Sequence, residues 1–280
     1  MSFNKGIYMQ YYNNYHSYGN IYWTKGVKTL VIANAVVFGI QVLSRVFTGG
    51  SDIIISIFGL SPEKVVHNFW LWQLITAAFL HNPDSLFHLL FNLLALFFFG
   101  HIVENHYNRS RFYSFYFLCA IFSSLIYTIL HFIIGSTTIM IGASGAIMGI
   151  LALCACISPN AIVYLYFVFP IRLRTLIWIL IAIDAYMLIH PYGGVAASAH
   201  LGGVLFGYIY YHFSDKLYNY LEKIEVQAEQ QYEEKLYKRD KNLREEVDRI
   251  LEKIHNEGIH KLSAKEKKFL QNASKEYKKR

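Results

Sequence analysis

"IGASGAIMGI", residues Ile141–Ile150, places a single serine, Ser144, at the opening of an apolar segment, with Gly142, Gly145 and Gly149 around it. A soluble hydrolase would present such a serine on a sharp strand-to-helix turn of the form Gly-x-Ser-x-Gly. Here the fifth position is Ala146, and nothing upstream alternates like a strand. The stretch reads instead as the start of a helix in apolar surroundings, and the rest of the chain says what those surroundings are.

Apolar residues make up 54% of the 280, and only 16% are charged. The charge is segregated, with 17 of the 26 Lys and Arg and 14 of the 19 Asp and Glu lying after residue 212. Before that point the chain is a series of long apolar runs. This is the pattern of a membrane protein with a soluble tail. The net charge of +7 does not point to a nucleic-acid partner. The tail contributes +3 with acids and bases mixed, as on a solvated helix face, and the remaining excess sits in short loops. Cys119, Cys154 and Cys156 fall inside apolar runs and read as buried free thiols. They offer neither metal spacing nor a disulfide framework. The first 26 residues are polar and tyrosine-rich, without the apolar core of a cleavable signal peptide.

A helix needs about 20 apolar residues to cross the hydrocarbon core. Six stretches qualify or nearly do, at about 27–47, 86–103, 112–134, 141–157, 173–190 and 196–213. The fourth and sixth are short, so their ends must face protein or a water-filled cavity. Lys5, Lys25 and Lys28 precede the first span, Arg109 and Arg111 lie between the second and third, and Arg172 and Arg174 precede the fifth. The opposite loops carry only Arg45 and Lys64. The positive-inside bias then puts both termini in the cytoplasm and Ser144 toward the outer face. Residues 48–85 read as a loop with short helices partly in the outer leaflet, where Trp70 and Trp72 suit the lipid interface. The expected division is a cytoplasmic N-terminal segment (1–24), a six-span domain (25–213) and a cytoplasmic helical tail (214–280). In the tail "VDRILEKI" and "KLSAKEKKFL" read as helices separated by Asn256–Gly258, with Gly258 a helix stop. Ser263 and Glu266 have the spacing of a capping box.

Polar groups inside spans are costly and mark function. The informative ones are His88 and Asn92, Ser144, Asp184, and His200. His88 and Asn92 are spaced i, i+4 on one helix face. All but Asp184 lie near the outer ends of spans two, four and six, where they can converge on one cavity. Gly145 and Gly149 on span four, and Ala199, Gly203 and Gly207 on span six, form stripes of small residues that let helix backbones approach closely. Apposed, these stripes bring Ser144 within reach of His200. A serine hydroxyl is a weak nucleophile that needs an adjacent base. His200 can serve as that base, while His88, Asn92 and the amides opening span four can stabilise an oxyanion. Asp184, mid-span with no partner nearby in sequence, reads as a structural hydrogen bond.

"HLLFN" (His88–Asn92), "GASG" (Gly142–Gly145) and "AHLGGVLFG" (Ala199–Gly207) together make the chain resemble the rhomboid family of intramembrane serine proteases, over roughly residues 25–213. The resemblance implies an all-α, six-transmembrane-helix bundle that cleaves transmembrane segments of other proteins admitted from the lipid bilayer, without metal or cofactor. It makes Ser144 the nucleophile, His200 its base, and His88 and Asn92, with the Ser144 amide, the oxyanion site. Phe99, Gly100, Val103 and Glu104 also fit the family pattern, with Glu104 a structural anchor. The compact form points to a bacterial plasma membrane. Three departures stand out. Gln73 follows Trp72 where the family often has arginine, so anchoring by that arginine is absent; extra residues in "HNPDSLFH" leave His81 without a role; and Met148 stands where an aromatic often stacks on the catalytic histidine. The tail resembles a helical appendix on some bacterial rhomboids. The alternative is a silent rhomboid-like protein that binds membrane clients; such relatives typically lack the serine or histidine. An aspartyl protease would need a second aspartate in the spans, a zinc protease His-Glu-x-x-His, and a transporter paired, interrupted repeats.

Overall fold

The computed structural model describes residues 22–135, 137–165, 168–190 and 196–277. Lys5 and most of the expected N-terminal segment lie outside the described residues. The first helix, α1 (Lys25–Phe47), has its opening amides held from another helix. The buried Glu104 carboxylate accepts from the N–H groups of Gly26 and Val27 at 2.9 and 3.0 Å. An anion there satisfies two of the donors that a helix start leaves unpaired and complements its dipole.

The segment 48–85 folds into α2 (Ile53–Phe58), α3 (Pro62–Asn68), α4 (Gln73–Thr76) and a 3₁₀ turn (Ala77–Phe79). Proline at the first turn of α3 costs no hydrogen bond, because that N–H would be unpaired anyway. Gln73, standing where the family often has arginine, anchors the loop in another way. It is fully buried, accepts from the Ser61 amide at 3.0 Å and donates to the Ile57 carbonyl at 3.0 Å. A neutral amide thus tethers the loop by donor and acceptor at once. Trp72 Nε1 adds a bond to the same Ile57 carbonyl at 3.1 Å, and the Thr76 hydroxyl reaches the Phe58 carbonyl at 2.7 Å.

Next come α5 (Leu86–Tyr107) and α6 (Arg109–Ile133). They meet at Asn108, whose φ of 86° breaks the helix and whose side chain accepts from the Arg111 amide at 3.0 Å. Asparagine suits both tasks, since it tolerates a left-handed backbone and caps the next helix. α7 (Ser144–Ile157) is only 14 residues long, yet every residue from Gly145 to Ala155 is buried. Its ends therefore face protein, which is what a helix shorter than the bilayer requires. Phe112, Phe115, Tyr116 and Cys119 of α6, Leu96 and Val103 of α5, and Val27 and Leu30 of α1 join α7 in one core.

After α7 the chain makes an antiparallel hairpin, β1 (Ile162–Leu165) and β2 (Phe169–Arg172), with Ile162 opposite Arg172. The sequence reading has only a loop here; the β-branched and aromatic run "IVYLYFVFPIR" suits strands in hindsight. α8 (Leu173–Ile189) follows, and then α9 (Ala197–Glu257), a single helix of 61 residues. The stretch read at 196–213 runs on without a break into the helical tail, "VDRILEKI" is the last part of the same helix, and the break falls at Gly258 as the sequence suggested. The reason is local. No glycine or proline occurs between Tyr208 and Glu257, so the residues change from apolar to charged without any break in helix propensity.

Gly258, at φ 85°, stops α9; a 3₁₀ turn (Ile259–Lys261) leads to α10 (Ala264–Tyr277). Ser263 and Glu266 make the reciprocal capping box: the Glu266 amide donates to the Ser263 hydroxyl at 3.2 Å and the Ser263 amide to the Glu266 carboxylate at 2.7 Å. These bonds from Ser263, amide then hydroxyl, together with Lys253, pull the Glu266 carboxyl down to about 2. Three helices among the described residues, α1, α5 and α6, are long and apolar enough to cross a membrane, and α7 is a shorter apolar helix. The chain divides into two compact units, one through Ser214 and one from Asp215, and the division falls within α9.

Candidate active site

Residues 140–142 lead into α7 and are pinned by the loop 48–85. Met140 and Leu60 exchange backbone hydrogen bonds at 2.9 Å each, and the Gly142 amide donates to the Ala77 carbonyl at 2.9 Å. Gly142 has φ 127°, a conformation that side-chain-bearing residues rarely adopt, and a Cβ there would stand 2.9 Å from His88 Nε2. Glycine is thus required twice, by backbone angle and by space. One turn of tethered chain delivers Ser144 to the first position of α7 beside His88.

α9 reaches the same point because α7 and α9 cross with almost nothing between them. A Cβ on Gly203 would overlap the Gly145 carbonyl oxygen, and one on Gly207 would come within 2.5 Å of the Gly149 carbonyl oxygen. Cys119 of α6 sits at the crossing, its Sγ 3.8 Å from the carbonyl oxygens of both Gly145 and Gly203. Without a hydrophobic driving force between helices in lipid, such close van der Waals packing is what holds them together.

His200 lies one turn before Gly203, and its Nε2 is 2.8 Å from Ser144 Oγ. Its other ring nitrogen, Nδ1, is 3.0 Å from Asp184 Oδ1 of α8. The side chains of His200 and Asp184 are only 22% and 14% exposed. A carboxylate placed on an apolar helix away from water is costly unless it is paired, so a partner at hydrogen-bond distance is what Asp184 needs. This pairing is what sequence reasoning missed. Asp184 is visible there as the sole acid of an apolar run, but its partner is 16 residues away on the next helix.

His88 Nδ1 accepts from the Asn82 amide at 3.4 Å, which leaves the ring proton on Nε2, the nitrogen nearest Gly142. His81 is buried with its ring edge-on to that of His88, 5.1 Å between centroids. Asn92, also buried, spends one amide hydrogen on the His88 carbonyl at 3.0 Å, one turn back in its own helix. Its amide has a second hydrogen to give. Met148 is buried in α7. Glu104 is elsewhere, at the α1 opening, where Arg109 also approaches it at 3.5 Å. Among the described residues no group of three His, Cys, Asp or Glu is placed to hold a metal ion.

A family model described as the Rhomboid domain matches residues 68–214, just over half of the chain, and so takes in Ser144, His200, Asp184, His88 and Asn92. The chain belongs to the rhomboid family. As a rhomboid it is an integral membrane protein. A second model, for a family of unknown function (DUF6576), matches residues 228–276. The mitochondrial RHOMBOID-like protein 12 of Arabidopsis thaliana is 29% identical over 219 residues, 71% of this chain and 63% of that protein. Rhomboid-like protease 3 of Toxoplasma gondii is 29% identical over 132 residues, 47% of this chain and 48% of its own. RHOMBOID-like protein 1 of Arabidopsis thaliana is 33% identical over 151 residues, 54% of this rhomboid and 36% of that one. The chain thus spans less than two thirds of each of these relatives. Their sources lend no support to a bacterial plasma membrane.

Proposed function

We propose that this rhomboid is an intramembrane serine endopeptidase that cleaves transmembrane segments of other proteins. The observation that carries the reading is the 2.8 Å approach of Ser144 Oγ to His200 Nε2 within the apolar unit. In the reaction the Ser144 oxygen attacks the scissile carbonyl carbon as its proton passes to His200 Nε2. The oxyanion is met by His88 Nε2–H, the free Asn92 amide hydrogen and the Ser144 amide, which as a first-turn N–H has no helix partner. Collapse of the tetrahedral intermediate breaks the C–N bond, with His200 giving its proton to the leaving amine. Water, deprotonated by the same imidazole, then hydrolyses the acyl-enzyme.

Six spans suit this reading: α1, α5, α6, α7, α8 and the opening of α9 through about residue 213. Lys25, Lys28, Arg109, Arg111, Arg172 and Arg174 then lie on the cytoplasmic side with both termini, and Ser144 opens toward the opposite face. The residues before 25 form a cytoplasmic segment and those after 213 a cytoplasmic tail. The test is cleavage of a generic transmembrane substrate in liposomes, together with labelling by a fluorophosphonate probe. Wild type cleaves and is labelled at Ser144; Ser144→Ala and His200→Ala each do neither, and the double variant resembles either single one because the two act as a unit. Cleavage by Ser144→Ala at the wild-type rate removes the mechanism. An inert but folded wild type favours a client-binding protein instead.

A further inference from the structure

We infer that Asp184 is a positioning residue that turns the Ser144–His200 pair into a three-residue relay, an inference that rests on the serine-protease reading above. A carboxylate only accepts hydrogen bonds, so the 3.0 Å contact of Asp184 Oδ1 with His200 requires the proton on Nδ1. The neutral ring then has its lone pair on Nε2, the atom that lies 2.8 Å from Ser144 Oγ. One bond would leave the imidazole free to swing about its contact; two, at opposite ring nitrogens, set its plane. Asp184 is the only acid in α8, whose other residues are apolar apart from Arg174, Thr175 and Tyr186. As His200 takes the serine proton it becomes a cation, and a carboxylate 3.0 Å away stabilises that cation far better in apolar surroundings than in water. The three groups come from three helices, α7, α8 and α9, so the relay exists only when all three are packed.

A purely structural hydrogen bond between α8 and α9 would survive Asp184→Asn, because the amide is isosteric and still bonds the ring. The relay would not. The amide nitrogen donates to Nδ1, drives the proton to Nε2 and removes the lone pair facing Ser144. The experiment compares full-length wild type, Asp184→Asn and Asp184→Glu in liposomes, with a fluorophosphonate probe, a generic transmembrane substrate and ¹⁵N-histidine spectra. The expected result for Asp184→Asn is a loss of about 10²–10⁴ in probe-labelling rate and kcat, the range one acid–base group supplies. KM stays within about twofold, since the group acts on the chemical step rather than on binding. Asp184→Glu, which keeps the carboxylate, recovers part of the rate. The His200 spectrum moves from the Nδ1–H tautomer in wild type to Nε2–H in Asp184→Asn. Labelling and cleavage by Asp184→Asn at the level of an active wild type overturn the relay and leave the protease reading intact. An Nε2–H tautomer in the wild type overturns it whatever the activity.

Discussion

Ser144 and His200 are 56 positions apart, and each taken alone has an ordinary packing role; the 2.8 Å between them is what supports the proposed protease chemistry. Asn92 is the residue whose part is most open to measurement. Half of its donor capacity goes to its own helix at the His88 carbonyl, which a packing residue would also do. The second hydrogen is what an oxyanion would use. Asn92→Ala is therefore expected to lower kcat by roughly 10²–10³, the cost of one oxyanion donor, while His88 and the Ser144 amide keep the rate above background. Unaltered turnover with a lower melting temperature would assign Asn92 to helix packing. The requirement for Gly142 comes from φ 127° and the nearness of His88, and neither can be inferred from a glycine in a string of small residues.

At the scale of elements, the site is made by the crossing of α7 and α9. The glycine stripes were legible in the sequence because a period of four on a helix puts small residues on one face. Their apposition, backbone on backbone with Cys119 alongside, belongs to the packing. Gly203→Val puts a branched side chain where the Gly145 carbonyl oxygen stands, so α9 must move away from α7 and carry His200 with it. A displacement of about 1 Å can cost on the order of 10²-fold in rate, and that loss is expected here without any catalytic atom being changed. Full turnover and unchanged probe labelling would show that the crossing tolerates the added bulk. The hairpin β1–β2 and the role of Gln73 were not legible. A short apolar run does not distinguish strand from loop, and a glutamine in place of an arginine does not announce which carbonyl and amide it will bridge.

At the scale of the whole molecule, every group proposed to act on substrate belongs to the unit that ends at Ser214, and the match to the Rhomboid domain ends there too. The unit from Asp215 has its own buried residues, Ile250, Leu262 and Ala273, and its own capping box. Truncation after Tyr220 is accordingly expected to leave turnover of a model transmembrane substrate largely intact in liposomes, both forms being checked for folding by thermal melts. A folded truncation without turnover would mean that the second unit controls the first.

The sequence by itself determined the class of the molecule: an apolar, helical membrane protein of the rhomboid family with a charged helical tail. Hydropathy, helix period and motif order are properties of neighbours along the chain, and they survive without coordinates. It also singled out Ser144, His200, His88, Asn92 and Asp184, because a polar group in an apolar span stands out wherever the span goes. Only the tertiary structure decided which of these touch. The Asp184–His200–Ser144 line joins three helices across gaps of 16 and 56 residues, and such contacts depend on crossing geometry rather than on composition. Asp184 shows the difference most plainly. Read along the chain it is a solitary acid on an apolar helix; in the fold it faces the imidazole of His200, which also reaches Ser144.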